Sequence, residues 1–163
     1  RKLLFRGSID IAFLVGPLPD PAIVNEHLIT VPLVWVASLS LGIGKESQLT
    51  AALTQWPIIT YARNTTPYIE IINKFAQCSE RPASIITSSS LAISRRLVLD
   101  GMGISALPMD LVQNDLDSGL LHVINTSWCP SDLTFTASYP ITPHKPELLP
   151  MIALAQSVAK LNI

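Results

Sequence analysis

The stretch from Thr87 to Pro108 limits the possible folds of this chain more than any other. Three consecutive hydroxyl residues, Ser88, Ser89 and Ser90, stand where a helix N-cap belongs, because their side-chain oxygens accept the orphan N–H groups of a first turn. Apolar residues follow at Leu91, Ile93, Leu97 and Val98, near helical spacing, with Arg95 and Arg96 on the other face. Gly101 closes the helix as a left-handed residue that most side chains resist. Ile104 to Leu107 then reads as a short buried strand, stopped by Pro108. Cap, helix, glycine stop and strand make half of a β-α-β unit. Its helix N-terminus suits an anionic or polar ligand, since free N–H groups and the positive dipole end point the same way. The same serines also serve as caps that bind nothing, and this stretch alone favours that simpler reading.

At 163 residues the chain is long enough to bury a core, as one compact domain or two small lobes. A net charge of -1 gives no electrostatic reason for direct contact with nucleic acid or an acidic membrane. Charged residues make up only 14% and hydrophobic ones 48%, so a partner subunit or a missing segment is expected to cover part of the surface. No apolar run reaches membrane-spanning length, and no leader-like pattern opens the chain, which enters mid-pattern at Arg1. The two cysteines, Cys78 and Cys129, lie far apart in sequence without a Cys/His cluster, so no metal or cofactor site is expected and inert thiols are favoured over a redox switch.

Leu3 and Leu4 open a fragment ending at Gly7, the last turn of a helix. Ile9 to Val15 is nearly continuous in apolar residues and predicts a strand buried on both faces. His27 to Ala37 is a second extended stretch, and Leu39 to Ser47 a loop. Leu49 to Gln55 predicts a short helix, Pro57 to Tyr61 a strand, and Asn64-Thr65-Thr66-Pro67 a helix start. The helix from Tyr68 to Gln77 would turn Ile69, Ile72, Phe75 and Ala76 to one face. Ala83 to Thr87 is a strand, Met109 to Leu116 a helix, and Leu120 to Ile124 another strand. Leu133 to Tyr139 alternates as a two-faced strand, and Leu148 to Leu161 is a closing amphipathic helix. Alternating strands and helices predict an α/β fold with a largely parallel sheet.

Catalytic patterns are weak. Gly101-Met102-Gly103 has the helix before and the strand after, the reverse of a dinucleotide fingerprint. No nucleophile elbow exists, and His27, His122 and His144 stand in separate segments, as do Glu70 and Asp100. One device does occur twice: Tyr61 to Thr66 and Thr87 to Ser90 each place hydroxyl or amide side chains between a strand and a helix. In an open α/β sheet such strand-end loops converge on ligands. Arg63 suits a carboxylate or phosphate, and Tyr61 and Tyr68 an apolar wall; a solvated charge and simple packing are the plainer alternatives.

These segments resemble the effector-binding domain of LysR-type transcriptional regulators. Phe5 to Phe13 is similar to that family's L-x-x-G-x-L-D-x-A segment, and Val31 to Ser38 to its crossing strand. Val98 to Pro108 matches V-x-x-G-x-G-I-x-x-L-P, and Gly119-Leu120-Leu121 begins the following G-x-L. The resemblance runs collinearly from Leu3 to the end of the chain. It implies a type II periplasmic-binding-protein-like α/β fold, two lobes with a cleft, joined by crossing strands. Residues 1–37 with 134–163 would be a remnant of lobe I, and residues 38–133 lobe II. The N-terminal winged helix-turn-helix would be absent from this chain, as would the first strand-helix units of the domain.

The resemblance further implies a small polar or anionic effector held by Ala37 and Ser38 on the crossing strand, by Thr65 and Thr66 after Arg63, and by Ser88, Ser89 and Ser90. It implies a cytoplasmic homodimer or homotetramer that reaches DNA through the missing domain, with no catalysis, metal, cofactor or membrane partner. Peroxide sensing by paired cysteines does not carry over, because Cys129 is not at the short spacing such sensors use. A periplasmic solute-binding receptor of the same fold is the alternative, and an enzyme on that fold, such as a dehydratase, a weaker third.

Overall fold

The computed structural model describes residues 2–44, 55–63, 65–76, 84–143 and 145–161. The expected helix at 49–55 lies outside these except for its last residue, as do Asn64, Cys78 and His144. The chain divides into two compact units, Arg1–Val31 with Leu133–Ile163, and Pro32–Asp132.

The first unit holds α1 (Lys2–Phe5), β1 (Ala12–Val15), β2 (Ile23–Val31), β8 (Leu133–Pro140) and α5 (Leu148–Leu161). Gly7, at φ 66°, ends the first helix as expected. The sheet order is β1-β8-β2, antiparallel throughout. This corrects the reading of residues 9–15 as a strand buried on both faces. With a single neighbour, β1 is an edge strand, and its Phe13 and Val15 are exposed. Leu148 and Ile152 of α5 pack on Ala137 at the centre of the sheet. Beneath the loop after β1, Ser138 Oγ donates to Asn25 Oδ1 at 2.7 Å, and Asn25 also bonds both backbone groups of Leu18. The buried Ser138 hydroxyl and the half-buried Asn25 amide are thereby satisfied.

The second unit contains β3 (Leu33–Ser38), β4 (Ile58–Thr60), α2 (Thr66–Ala76), β5 (Ile85–Thr87), α3 (Leu91–Leu99), β6 (Ile104–Pro108), α4 (Met109–Asp117) and β7 (Leu121–Val123). Its sheet runs β5-β4-β6-β3-β7. Strand β4 is parallel to β5 and β6, whereas β3 is antiparallel to both β6 and β7. The sheet is therefore mixed rather than largely parallel, because β3 enters from the other unit against the direction of the β-α-β units. The expected division at 37/38 falls inside β3, which stays whole in the second unit through its pairing with β6 and β7.

Val36, Ile59, Val98, Leu107, Val112 and Leu121 form one core, joining α3 and α4 to the sheet. Trp35 alternates to the opposite face, where its ring meets Phe75 of α2 edge-on at 6.4 Å. Helices thus cover both faces. The buried stripe of α2 is Pro67, Ile71 and Phe75, with Ile69 exposed; on α3, Ile93 is exposed and Ser94 and Val98 are buried. Both helices are rotated from the faces that apolar spacing picked out. Arg95 is drawn from the expected polar face into a bidentate pair with Asp115 of α4, at 2.6 Å for both contacts.

The two glycines of the Gly-Met-Gly turn do different work. Gly101 takes φ 70°, and a Cβ on Gly103 would lie 2.3 Å from the Pro57 carbonyl. Gly103→Ala is therefore expected to cost about 2 kcal/mol or more, and Gly101→Ala about 1 kcal/mol, in urea denaturation. Arg95→Ala strands the Asp115 carboxylate, 4% exposed, and should cost about 2–3 kcal/mol. Asp115→Ala leaves a guanidinium that is 37% exposed and reaches water, so it should cost less.

Candidate functional site

Parallel pairing places Thr60 at the end of β4 beside Thr87 at the end of β5. The connections that follow, described at residues 61–63 and 65 and at residues 88–90, therefore leave the sheet side by side. Ser88 N–H donates to Thr60 O at 2.9 Å, fixing the second connection against the first. Strand β6 ends at the same edge with Pro108, and its antiparallel partner β3 begins there with Leu33.

The hydroxyls of the two loops divide into engaged and free. Thr65 Oγ1 donates to Ala62 O at 2.8 Å, shaping the turn into α2. Ser88 Oγ donates to Ser90 O at 3.0 Å and accepts Ser90 N–H at 3.1 Å. Ser90 is the N-cap of α3, its Oγ accepting Ile93 N–H at 3.4 Å. These three hold the backbone. Thr66 and Ser89 are exposed, and no hydrogen bond engages their hydroxyls among the described residues. The exposed Arg63 likewise has no ion-pair partner there.

Ala37 and Ser38 do not join this group. Because β3 runs antiparallel, they lie at the opposite end of the sheet, about 13 and 16 Å along the strand from Leu33. Ala37 is fully buried, and Ser38 pairs with Leu121 while its Oγ bonds Ser40 Oγ at 2.9 Å.

Two features escape reading from sequence alone. Thr60 Oγ1 is buried at the strand end without a hydrogen-bond partner; a threonine closing an otherwise aliphatic strand was its only signal. Tyr61 is held rather than offered to solvent: its hydroxyl donates to Ala106 O at 2.8 Å. Burial, with a smaller contribution from the Cys129 thiol, pushes this phenol far above its ordinary range, so it stays a neutral donor. Glu70, one turn into α2, accepts from both Ser131 N–H at 2.7 Å and Ser131 Oγ at 2.6 Å. None of the strand-end hydroxyls bonds a histidine or carboxylate among the described residues.

The family model for the LysR substrate binding domain matches residues 1–158. No curated protein matches the sequence. Full-length HypT from Salmonella typhimurium, a hypochlorite-specific LysR-type transcriptional regulator, superposes with TM-score 0.72 at 18% identity; the alignment covers 98% of this chain and 55% of that one. The bromide-bound regulatory domain of HypT gives TM-score 0.74 at 18% identity, over 98% of this chain and 77% of that one. The Synechocystis PCC6803 CcmR regulatory domain, in complex with 2-PG, gives 0.71 at 14%, over 98% and 77%. The type II periplasmic-binding-protein-like fold follows from this match, and the chain belongs to the LysR substrate-binding-domain family.

Proposed function

We propose that this chain is the effector-sensing part of a bacterial LysR-type transcription factor. It binds a small polar or anionic molecule in the interlobe cleft that the family's fold implies, and so controls DNA binding. The observation that carries the proposal is the convergence of Arg63, Thr66 and Ser89, all unengaged among the described residues, at one sheet end beside the buried Thr60 hydroxyl. Thr65, Ser88 and Ser90 contribute by shaping the loops, their own backbone N–H groups being bonded to Ala62 O, Thr60 O and Ser88 Oγ. The ions and ligands held by similar structures, bromide in one and 2-PG in another, are in keeping with a small anion.

Preference of the effector for one arrangement of the units shifts a homodimer or homotetramer between DNA-bound forms. DNA is reached through a winged helix-turn-helix outside this chain, in the cytoplasm. Sensing is by binding and not by oxidation of Cys129. Burial first, then Asp132 and Glu70, pushes that thiol up to about 11, and its Sγ–H donates to Leu33 O at 3.1 Å.

A thermal-shift screen of small carboxylates and phosphates should yield a ligand that raises Tm by several degrees at a hundredfold its Kd, equivalent to about 2.7 kcal/mol. Thr66→Ala with Ser89→Ala should weaken that ligand by about tenfold or more; an unchanged Kd overturns the site. In a Cys78→Ser background, alkylation of Cys129 by iodoacetamide should climb about tenfold per pH unit until about pH 11. A plateau at the ordinary thiol value would return Cys129 to the redox candidates.

A further inference from the structure

Strand β7 parts from β3 one step after their paired residues end. Val36 is paired with Val123, and Ile124 N–H donates to Trp35 O at 2.9 Å. The next hydrogen-bonded rung in that register would join Leu33 to Thr126. That rung is not made. Leu33 O instead accepts Cys129 Sγ–H at 3.1 Å, and Thr126 Oγ1 donates to Trp128 O at 2.7 Å. Leu33 N–H points to the same edge as its carbonyl, away from β6, and has no acceptor among the described residues. The gap is a cavity of about 250 Å³ within the second unit, just below the usual range for small-molecule sites. Buried Leu33, Trp35 and Ile124 supply its apolar walls, and no charged side chain lines it among the described residues.

We propose that this cavity binds a small neutral cis-amide with an apolar body, such as a lactam or cyclic imide, in place of the missing rung. A cis-amide carries its C=O and N–H side by side on one edge. The carbonyl accepts Leu33 N–H while the amide N–H donates to Leu33 O, the two bonds that an antiparallel partner would make. The incoming N–H displaces the Cys129 thiol, a weak donor, from that carbonyl. The apolar body meets Trp35 and Ile124, in a volume that leaves room for a single ring. A carboxylate is disfavoured, because it faces the Leu33 carbonyl with no cation in the lining, and Asp132 and Glu70 oppose negative charge at Cys129. Strands β6 and β3 separate the gap from the loops that follow β4 and β5, so this site does not depend on the proposed effector site.

The test is titration of the ¹⁵N-labelled 163-residue chain with δ-valerolactam, followed by amide chemical shifts, with N-methylvalerolactam and cyclohexanecarboxylate as comparators. The lactam should give saturable shifts of the amides of residues 33–35, 123–126 and 129, with a millimolar Kd. It should bind about tenfold tighter than the N-methyl compound, which lacks the donor, and tighter than the carboxylate. Cys129→Ala frees the Leu33 carbonyl and should strengthen the lactam about threefold. Thr66→Ala with Ser89→Ala should leave its Kd unchanged. Absence of saturable shifts at these amides, equal binding of the N-methyl compound, or a folded Cys129→Ala chain that binds no better than the parent each overturns the assignment. Should Cys129→Ala fail to fold, the N-methyl comparison decides in the parent chain. Loss of lactam binding in the Thr66 and Ser89 double variant would move the site to the strand-end loops and overturn it here.

Discussion

The parallel pairing of β4 with β5 is the interaction on which the site depends. It sets Thr60 against Thr87, and the Ser88 N–H to Thr60 carbonyl bond carries the pairing one step past the strands. Two loops far apart in sequence thereby become one surface. Each then enters a helix whose apolar stripe fixes it to a different face of the sheet, α2 through Phe75 against Trp35 and α3 through Val98 in the opposite core. Loop position is set by buried packing on both sides. That leaves Thr66, Ser89 and Arg63 unengaged at the rim while Thr65, Ser88 and Ser90 are used to hold the turns.

The same sheet explains why two of the candidate residues stand apart from the other six. A strand arriving from another unit and joining β6 antiparallel presents its beginning, not its end, at the ligand edge. Ala37 and Ser38 share a strand with the edge residue Leu33 yet lie at the far end of the sheet. Strand direction outweighs proximity in sequence. The crossing segments are instead tied by backbone and side-chain bonds within the second unit: Met109 N–H to Pro32 O, Cys129 Sγ–H to Leu33 O, and Glu70 to Ser131. The loop through Trp128 is fastened further by Trp35 Nε1, which donates to its carbonyl at 3.2 Å.

Local structure was legible wherever one short-range rule decided it. The Ser90 cap, the left-handed Gly101, the fully buried Ile104–Pro108 strand and the closing helix from Leu148 all follow from a few neighbouring residues. Strand direction was not legible, because an apolar run such as residues 9–15 or 31–38 reads alike in parallel and antiparallel sheets. Helix faces were read only roughly: Ile69 and Ile93 kept the spacing of buried positions but are exposed, while Ser94 and the salt-bridged Arg95 turn inward. Of the eight residues expected to bind effector, six lie on the two converging loops. Which of those six are free to bind depended on hydrogen bonds that spacing cannot reveal.

The most direct measurement of the central claim is an amide chemical-shift map of the second unit during titration with phosphate and a series of small carboxylates. The account predicts that a binding anion shifts the amides of residues 61–66 and 88–92 together, on one saturation curve, with residues 37–41 unmoved. Shifts at only one of the two loops, or at the Ala37–Ser38 end of the sheet, would contradict it.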